Sequence, residues 1–267
     1  MKKIKVGILG ATGAVGQRFV QLLENHPWFE VTALCASEKS AGKLYKDIVN
    51  WKVSETIPSY AANMKVGLCN PKIDAKIVFS GLDSSVAGEI EDKFARMGYI
   101  VVSNSKNHRM DDYVPLLIPE VNPEHIEQAR FQKTFKSGGF IVTNPNCTTI
   151  GLAMVLKPLH DAFGIKRIMV TSMQALSGAG YPGVSSMDIL DNVVPYISGE
   201  EEKVEIEPRK LLGSLNSGKV DFADIAISAS CNRVNVRDGH LESVTLEFIK
   251  KPTEGQIIKV LENFRGE

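Results

Sequence analysis

The chain has 267 residues, 43% of them hydrophobic and 23% charged, with 31 basic side chains against 31 acidic ones. That length suits one large domain or two ordinary ones, and a core of this size needs no disulfide or metal to hold it. The composition excludes a disordered chain, the zero net charge gives no broad electrostatic footprint for nucleic acid, and no apolar run reaches the ~18 residues of a membrane span.

Met1-Lys2-Lys3-Ile4 faintly imitates a signal peptide, but the apolar stretch behind it is short, broken by glycine and followed by Gln17-Arg18. It reads as a strand over 3–9. Residues 14–24 carry Val15, Phe19, Val20, Leu22 and Leu23 at helical spacing, and 30–36 read as a second strand. Strand, glycine turn, helix, strand is a βαβ unit with parallel pairing. The alternation continues with a strand at 75–80, a helix at 86–97 and strands at 99–103 and 140–143, which predicts an open α/β sheet. A second region begins near Cys147, with a helix over 148–160, a strand over 165–173 and a helix over 184–196 that ends at Pro195. Strand-like runs follow at 224–229, 232–236 and 242–249, and a helix over 253–264 with Thr253 as its N-cap closes the chain. Here the expectation is a mixed sheet backed by helices, with the domain boundary at about 147.

Three segments carry chemistry. Gly7-Ile-Leu-Gly10-Ala-Thr-Gly13-Ala-Val-Gly16 ends a strand and opens a helix, the context in which glycines let a backbone approach a pyrophosphate and a helix N-terminus supplies N–H donors. Its spacing departs from G-x-G-x-x-G, and a tight packing turn is the bland alternative. After the second strand, Ser37-Glu-Lys-Ser-Ala-Gly offers two hydroxyls and a lysine that suit a 2′-phosphate and so favour NADP, although Glu38 could serve a 2′-hydroxyl. In Asn144-Pro-Asn-Cys147-Thr-Thr, the cysteine stands at the first turn of a helix, where the N-terminus lowers a thiol's pKa and, with the Asn146 side chain, could stabilise an oxyanion. A buried structural cysteine fits that position equally well. Cys35 lies inside a strand and reads as buried; among the four cysteines no C-x-x-C pair suggests zinc or a disulfide framework. Of the histidines, His26 and His125 sit in Pro-containing, turn-like segments and read as solvated. His240 follows Asp238-Gly239 at a turn between strands, placed to project into a cleft.

Asn-Pro-Asn-Cys147-Thr-Thr together with Arg233-(six residues)-His240 resembles the aspartate-semialdehyde dehydrogenase family, most closely its archaeal and fungal branch. The likeness runs along essentially the whole chain. It includes Gly10-Ala-Thr-Gly-Ala-Val-Gly, Ser37-Glu-Lys-Ser-Ala-Gly, Ser103-Asn-Ser-Lys-Asn-His-Arg109-Met, Gln174-Ala-Leu-Ser-Gly-Ala-Gly180-Tyr-Pro-Gly and Glu207-Pro-Arg-Lys210, in order. The resemblance implies a Rossmann-type, doubly wound NADP-binding domain at 1–147 and an α+β catalytic and dimerisation domain at 148–267. It implies NADPH-dependent reduction of aspartyl-4-phosphate to aspartate-4-semialdehyde through a Cys147 thioester, a step of lysine, threonine, methionine and isoleucine biosynthesis. Carried over residue by residue, His240 is the acid/base partner and Gln174 positions the acyl group. Arg233 grips the substrate α-carboxylate, Glu207 faces its amine, and Arg109 and Lys210 hold the phosphate with Asn146 nearby. Gly10, Thr12, Gly13, Ala14, Val15, Ser37, Lys39, Ser40, Ser84 and Gly178 take the cofactor, and no metal is implied.

The expected partners are a small-molecule substrate and further copies of the chain in a homodimer or homotetramer, with neither nucleic acid nor membrane, and the expected location is the cytoplasm. Two other readings stand beside this one: malonyl-CoA reductase on the same scaffold, which must bind a thioester of a large carrier, and an inactive nucleotide-binding fragment. The second arises because chains of the family continue past this point into strands, a long helix and an asparagine that contacts the nicotinamide end. On that resemblance the 267 residues are expected to bind NADP weakly, and tight binding by isothermal titration would contradict it.

Overall fold

Ile4–Leu9 forms strand β1, and its Val6, Ile8 and Leu9 side chains are fully buried, as a strand covered on both faces requires. The structure, a computed structural model, describes residues 2–54 and 56–266, so the first and last residues of the domain ranges given above lie outside the described residues. The chain divides into two compact units, one running to Pro115 and resumed over Ile126–Asn144, the other made of Leu116–His125 and the chain from Pro145 onward.

In the first unit, helix α1 (Ala14–Leu22) crosses from β1 to the parallel strand β2 (Phe29–Ala36). Short helices α2 (Tyr45–Ile48) and α3 (Ser59–Ala62) precede β3 (Val66–Leu68), followed by β4 (Ile77–Ser80), α4 (Ser84–Arg96), β5 (Ile100–Ser103) and β6 (Phe140–Thr143). Among the described residues the sheet has six strands, all parallel, in the order β3-β2-β1-β4-β5-β6. The order reverses between β1 and β4, which makes the carboxyl ends of those strands the expected ligand crevice. Cys35, inside β2, is buried, and burial pushes its thiol up to about 12. On α4 the fully buried Glu91 accepts hydrogen bonds at one carboxylate oxygen from Ser80 (2.6 Å) and Ser103 (2.8 Å), tying together the ends of β4 and β5. His108, in the loop after β5, places Nε2 3.9 Å from the other oxygen of Glu91 and Nδ1 2.8 Å from Asp111. The loop that carries Arg109 is anchored through this histidine.

In the second unit, α5 (Cys147–Phe163) leads into β7 (Ile165–Gln174), then α6 (Ser186–Ile189), α7 (Glu200–Leu211), the hairpin β8 (Ser214–Asn216) and β9 (Lys219–Asp221), β10 (Ala226–Arg233), β11 (Leu241–Phe248) and α8 (Glu254–Asn263). β7 is central, with β10 parallel on one side and β11 antiparallel on the other, so the sheet is mixed. Ile168 and Val170 of β7 and Cys231 of β10 pack with Leu152 and Leu156 of α5 and Val204 and Leu211 of α7 in one core, while Met169 and Leu241 on the opposite face are exposed. α8 starts with the capping box of Thr253 and Gln256, each closing an N–H of the other.

Three expectations change. The helix over 184–196 shrinks to the single turn α6, because Asp191 and Tyr196 take left-handed backbone angles and Val194 pairs with Arg233 as an isolated bridge. The two strand-like runs at 224–236 join in one strand, β10, held in continuous register by β7. His125 is fully buried, not solvated. Its Nδ1 accepts from the Asn122 side chain (2.8 Å), and its Nε2 faces the Gly213 carbonyl at 3.2 Å. That pattern fixes a neutral ring with the proton on Nε2.

Burial holds the His125 pKa below its ordinary value, against a smaller upward pull from Glu124. The unfolded ring therefore takes up a proton before the folded one does. The resulting stability is complete above about pH 6.5 and is lost as pH falls below it. His125→Gln is expected to cost ~1–3 kcal/mol at neutral pH and to reduce the fall in urea midpoint between pH 7.5 and 5.5. An unchanged pH dependence would contradict this.

Candidate active site

β6 ends at Thr143, and four residues later Cys147 opens α5. Asn146 caps that helix: its Oδ1 accepts from the N–H groups of Thr148 (3.0 Å) and Thr149 (3.4 Å), satisfying two of the donors that a helix start leaves without partners. Its Nδ2 donates to Glu200 at the start of α7 (2.8 Å), and its backbone N–H donates to Glu207 about two turns further along the same face of α7 (2.6 Å).

Cys147 is exposed, and His240 Nε2 lies 3.1 Å from its Sγ. The Ala175 N–H donates to His240 Nδ1 at 3.0 Å. A backbone N–H can only donate, so Nδ1 is the acceptor and the neutral ring carries its proton on Nε2, facing the sulfur. Burial lowers the His240 pKa, the Arg233 charge lowers it further, and Glu200 opposes both. The Cys147 thiol is raised, first by desolvation of its sulfur among protein atoms and then by the Glu200 carboxylate; the N–H groups of Thr148 and Cys147 pull the other way and lose. The expectation that a helix N-terminus lowers this thiol is thus overturned. The end of α5 acts as expected, but desolvation and a like charge outweigh it. The resting pair is a thiol beside a neutral imidazole.

The other residues carried over to this unit stand on β7, β10 and α7. Gln174, at the end of β7, is buried and places Nε2 3.3 Å from the Ser172 hydroxyl and 3.5 Å from Glu200. Arg233, paired with Gln174 in the β10–β7 register, is buried and donates to the Ala175 carbonyl (2.6 Å), while burial lowers its pKa. Glu207 and Lys210 are both buried on α7. Gly178 packs against the cluster: a Cβ there would stand 2.9 Å from an Arg233 nitrogen and 3.2 Å from His240 Cε1. The sequence motifs did not single out Glu200, which stands in the acidic run Glu200-Glu-Glu-Lys-Val-Glu. The signal was present, because Glu200, Val204, Glu207 and Leu211 recur at i, i+4, i+7 and i+11 and so share one helical face.

The first unit holds the remaining residues. Arg109 is buried and donates to the Asn104 carbonyl at 3.0 Å. Ser37, Lys39 and Ser40 form a turn directly after β2, with Ser37 and Lys39 exposed, and Ser84 is the exposed first residue of α4. Gly10 has φ 75°. A Cβ on Gly16 would meet the Gly10 carbonyl oxygen at 2.1 Å, so the turn needs glycine there. α4, α5 and α8 start with side-chain caps, whereas α1 starts at Gly13 with none. Thr12 is half-buried, and Gly13, Ala14 and Val15 are exposed around that start. Uncapped N–H groups on a helix free of obstructing side chains fit a dinucleotide pyrophosphate.

A parallel nucleotide-type sheet and a cysteine–histidine pair at a helix start suit a nucleotide-dependent oxidoreductase. The family model for the semialdehyde dehydrogenase NAD-binding domain matches residues 5–129, and that for the semialdehyde dehydrogenase dimerisation domain matches 156–267. Aspartate-semialdehyde dehydrogenase of Archaeoglobus fulgidus is 56% identical over 248 residues, spanning 92% of this chain and 72% of that protein. The Schizosaccharomyces pombe enzyme is 50% identical over 271 residues, spanning 98% of this chain and 76% of that one. A crystal structure of the Candida albicans enzyme with NADP has a TM-score of 0.90 at 46% identity and covers 98% of this chain and 77% of that one. The chain belongs to the aspartate-semialdehyde dehydrogenase family. The reading as a malonyl-CoA reductase is not favoured by these relatives.

Gly178→Ala is expected to push Arg233 and His240 apart and lower kcat/KM by more than about tenfold, with a Tm near that of the parent. Parental kinetics would contradict that packing role.

Proposed function

We propose that this chain reduces aspartyl-4-phosphate to aspartate-4-semialdehyde with NADP as its cofactor, using Cys147 as nucleophile and His240 as its proton partner. The 3.1 Å approach of His240 Nε2 to Cys147 Sγ, with Nδ1 occupied by the Ala175 N–H, carries the reading. The cofactor supplies or accepts the hydride, and the helix start at Gly13 with Gly10, Thr12, Ala14 and Val15 is suited to its pyrophosphate. Ser37, Lys39 and Ser40 take the 2′-phosphate end, and Ser84 and Gly178 complete the contacts. This assigns cofactor binding to the region up to residue 147 and catalysis with dimerisation to the region after it.

The Cys147 sulfur attacks the acyl carbon, the C–O bond to phosphate breaks and a thioester forms. Nε2–H of His240 hydrogen-bonds the sulfur while it is anionic, first as the thiol proton leaves with the phosphate and again when the hydride-reduced adduct collapses to aldehyde and thiolate, which regains its proton from water. Gln174 orients the acyl oxygen. Arg233 presents a fork to the substrate α-carboxylate and Glu207 faces its ammonium, while Arg109, Lys210 and Asn146 hold the phosphate. The match to a dimerisation domain supports an oligomer, which we take to be a homodimer or homotetramer. The free thiols support a reducing, cytoplasmic setting.

Purified protein given NADP, phosphate and aspartate semialdehyde is expected to form NADPH, and no NADPH from folded protein would defeat the reading. Cys147→Ala should abolish turnover with NADP affinity nearly unchanged. His240→Asn should retain turnover lowered ~10²–10⁴-fold. Parental activity in either variant would remove its assigned role.

A further inference from the structure

Glu200 is the first residue of α7, and its side chain is only 13% exposed. One oxygen, Oε2, accepts from Asn146 Nδ2 at 2.8 Å and lies 3.5 Å from Gln174 Nε2. The other oxygen accepts from Lys203 one turn along the same helix. Two side-chain amides, one from the cap of α5 directly before Cys147 and one from the end of β7, are thus tied to a single carboxylate.

We propose that Glu200 is a positioning residue of the thiol site: it fixes the amides of Asn146 and Gln174 on one carboxylate and so holds the start of α5, with Cys147, against α7 and β7. The inference rests on Cys147 being the nucleophile. With Oε2 holding Nδ2, the Asn146 amide is oriented with its oxygen on the N–H groups of α5, so the cap and the start of α5 are set from α7. The charged and titratable groups around Glu200 come from every element packed there. They are Lys203 on its own helix, Cys147 on α5, Arg233 and Cys231 on β10, and His240 ahead of β11. Glu200 acts on Cys147 as a like charge, raising the thiol, and on Arg233 and His240 as an opposite charge, favouring their protonated forms. A thiol held neutral beside a neutral imidazole resists adventitious alkylation and oxidation, since the thiolate is the reactive species. Ionisation then awaits a substrate that changes the local charge.

The test measures the rate at which iodoacetamide alkylates Cys147 between pH 6 and 11, read on the Cys147 peptide by mass spectrometry, in the intact chain. Glu200→Gln keeps the side chain's size and an acceptor oxygen but removes its charge. It is expected to move the alkylation midpoint down by about one unit or more, and to lower kcat more than it raises KM for the semialdehyde. Lys203→Met removes the cation that partly neutralises Glu200, and it should move the midpoint up. Glu200→Asp should restore a midpoint near the parent's. If the Lys203→Met midpoint is unchanged, or Glu200→Gln folds with the parental midpoint, the proposal is overturned, while a dead Cys147→Ala leaves the functional reading intact. If Cys147→Ala turns over at the parental rate, the functional reading fails whatever the midpoints do.

Discussion

Asn146 is the residue on which the geometry around the thiol depends. Its side-chain oxygen closes the first turn of α5, its side-chain nitrogen reaches Glu200, and its backbone N–H reaches Glu207. Helix starts need donors satisfied, and here the satisfying group also binds α7 at two points. Cys147 follows directly, so the position of its sulfur is set by a buried network and not by the flexibility of a loop. Two elements meet at this one residue, α5 through the cap and α7 through two carboxylates, and β7 joins them through Gln174, which shares the Glu200 oxygen.

The electrostatics follow from the same packing. A helix N-terminus is worth a few tenths to one kcal/mol to an anion near the surface. Desolvation of the sulfur and the Glu200 charge together exceed that, so the thiol rises even though it sits where a thiolate would otherwise be favoured. His240 is pressed in the same direction, away from a charged form, by burial and by Arg233. Its Nδ1 is already committed to the Ala175 N–H, and an imidazolium would set two donors against each other there. The ring is therefore held as a single tautomer that offers Nε2–H to sulfur. What a helix end supplies to a reactive cysteine depends on what else is buried beside it.

Most of the fold was legible in local signals. The glycine turn between β1 and α1, the β-branched runs of β5 and β6, the position of Cys147 at the head of α5 and the Thr253 cap of α8 are all decided by nearby residues. The misjudged elements were decided at long range. The burial of His125 needs Asn122 and the carbonyl of Gly213, and its Pro-containing, turn-like context said nothing of either. α6 stops after one turn because Val194 pairs with Arg233, a contact no helical periodicity reveals. α7 is hidden by its composition, since three successive glutamates and Pro208 give no apolar helical stripe of ordinary strength. Only its face of Glu200, Val204, Glu207 and Leu211 tells that it is inside. The same composition conceals Glu200, and with it the second cause, after burial, of the raised thiol.

The central claim is that Cys147, presented by α5 and faced by His240, carries the acyl group between phosphate and aldehyde. Its most direct test is to mix the protein with NADP and aspartate semialdehyde, withhold phosphate, quench, and look for an aspartyl thioester by peptide mass spectrometry. The account predicts a stoichiometric burst of NADPH and an acyl adduct on the Cys147 peptide that phosphate discharges. A burst with the adduct on Cys35, Cys69 or Cys231, or turnover that continues without any adduct when phosphate is withheld, would contradict it.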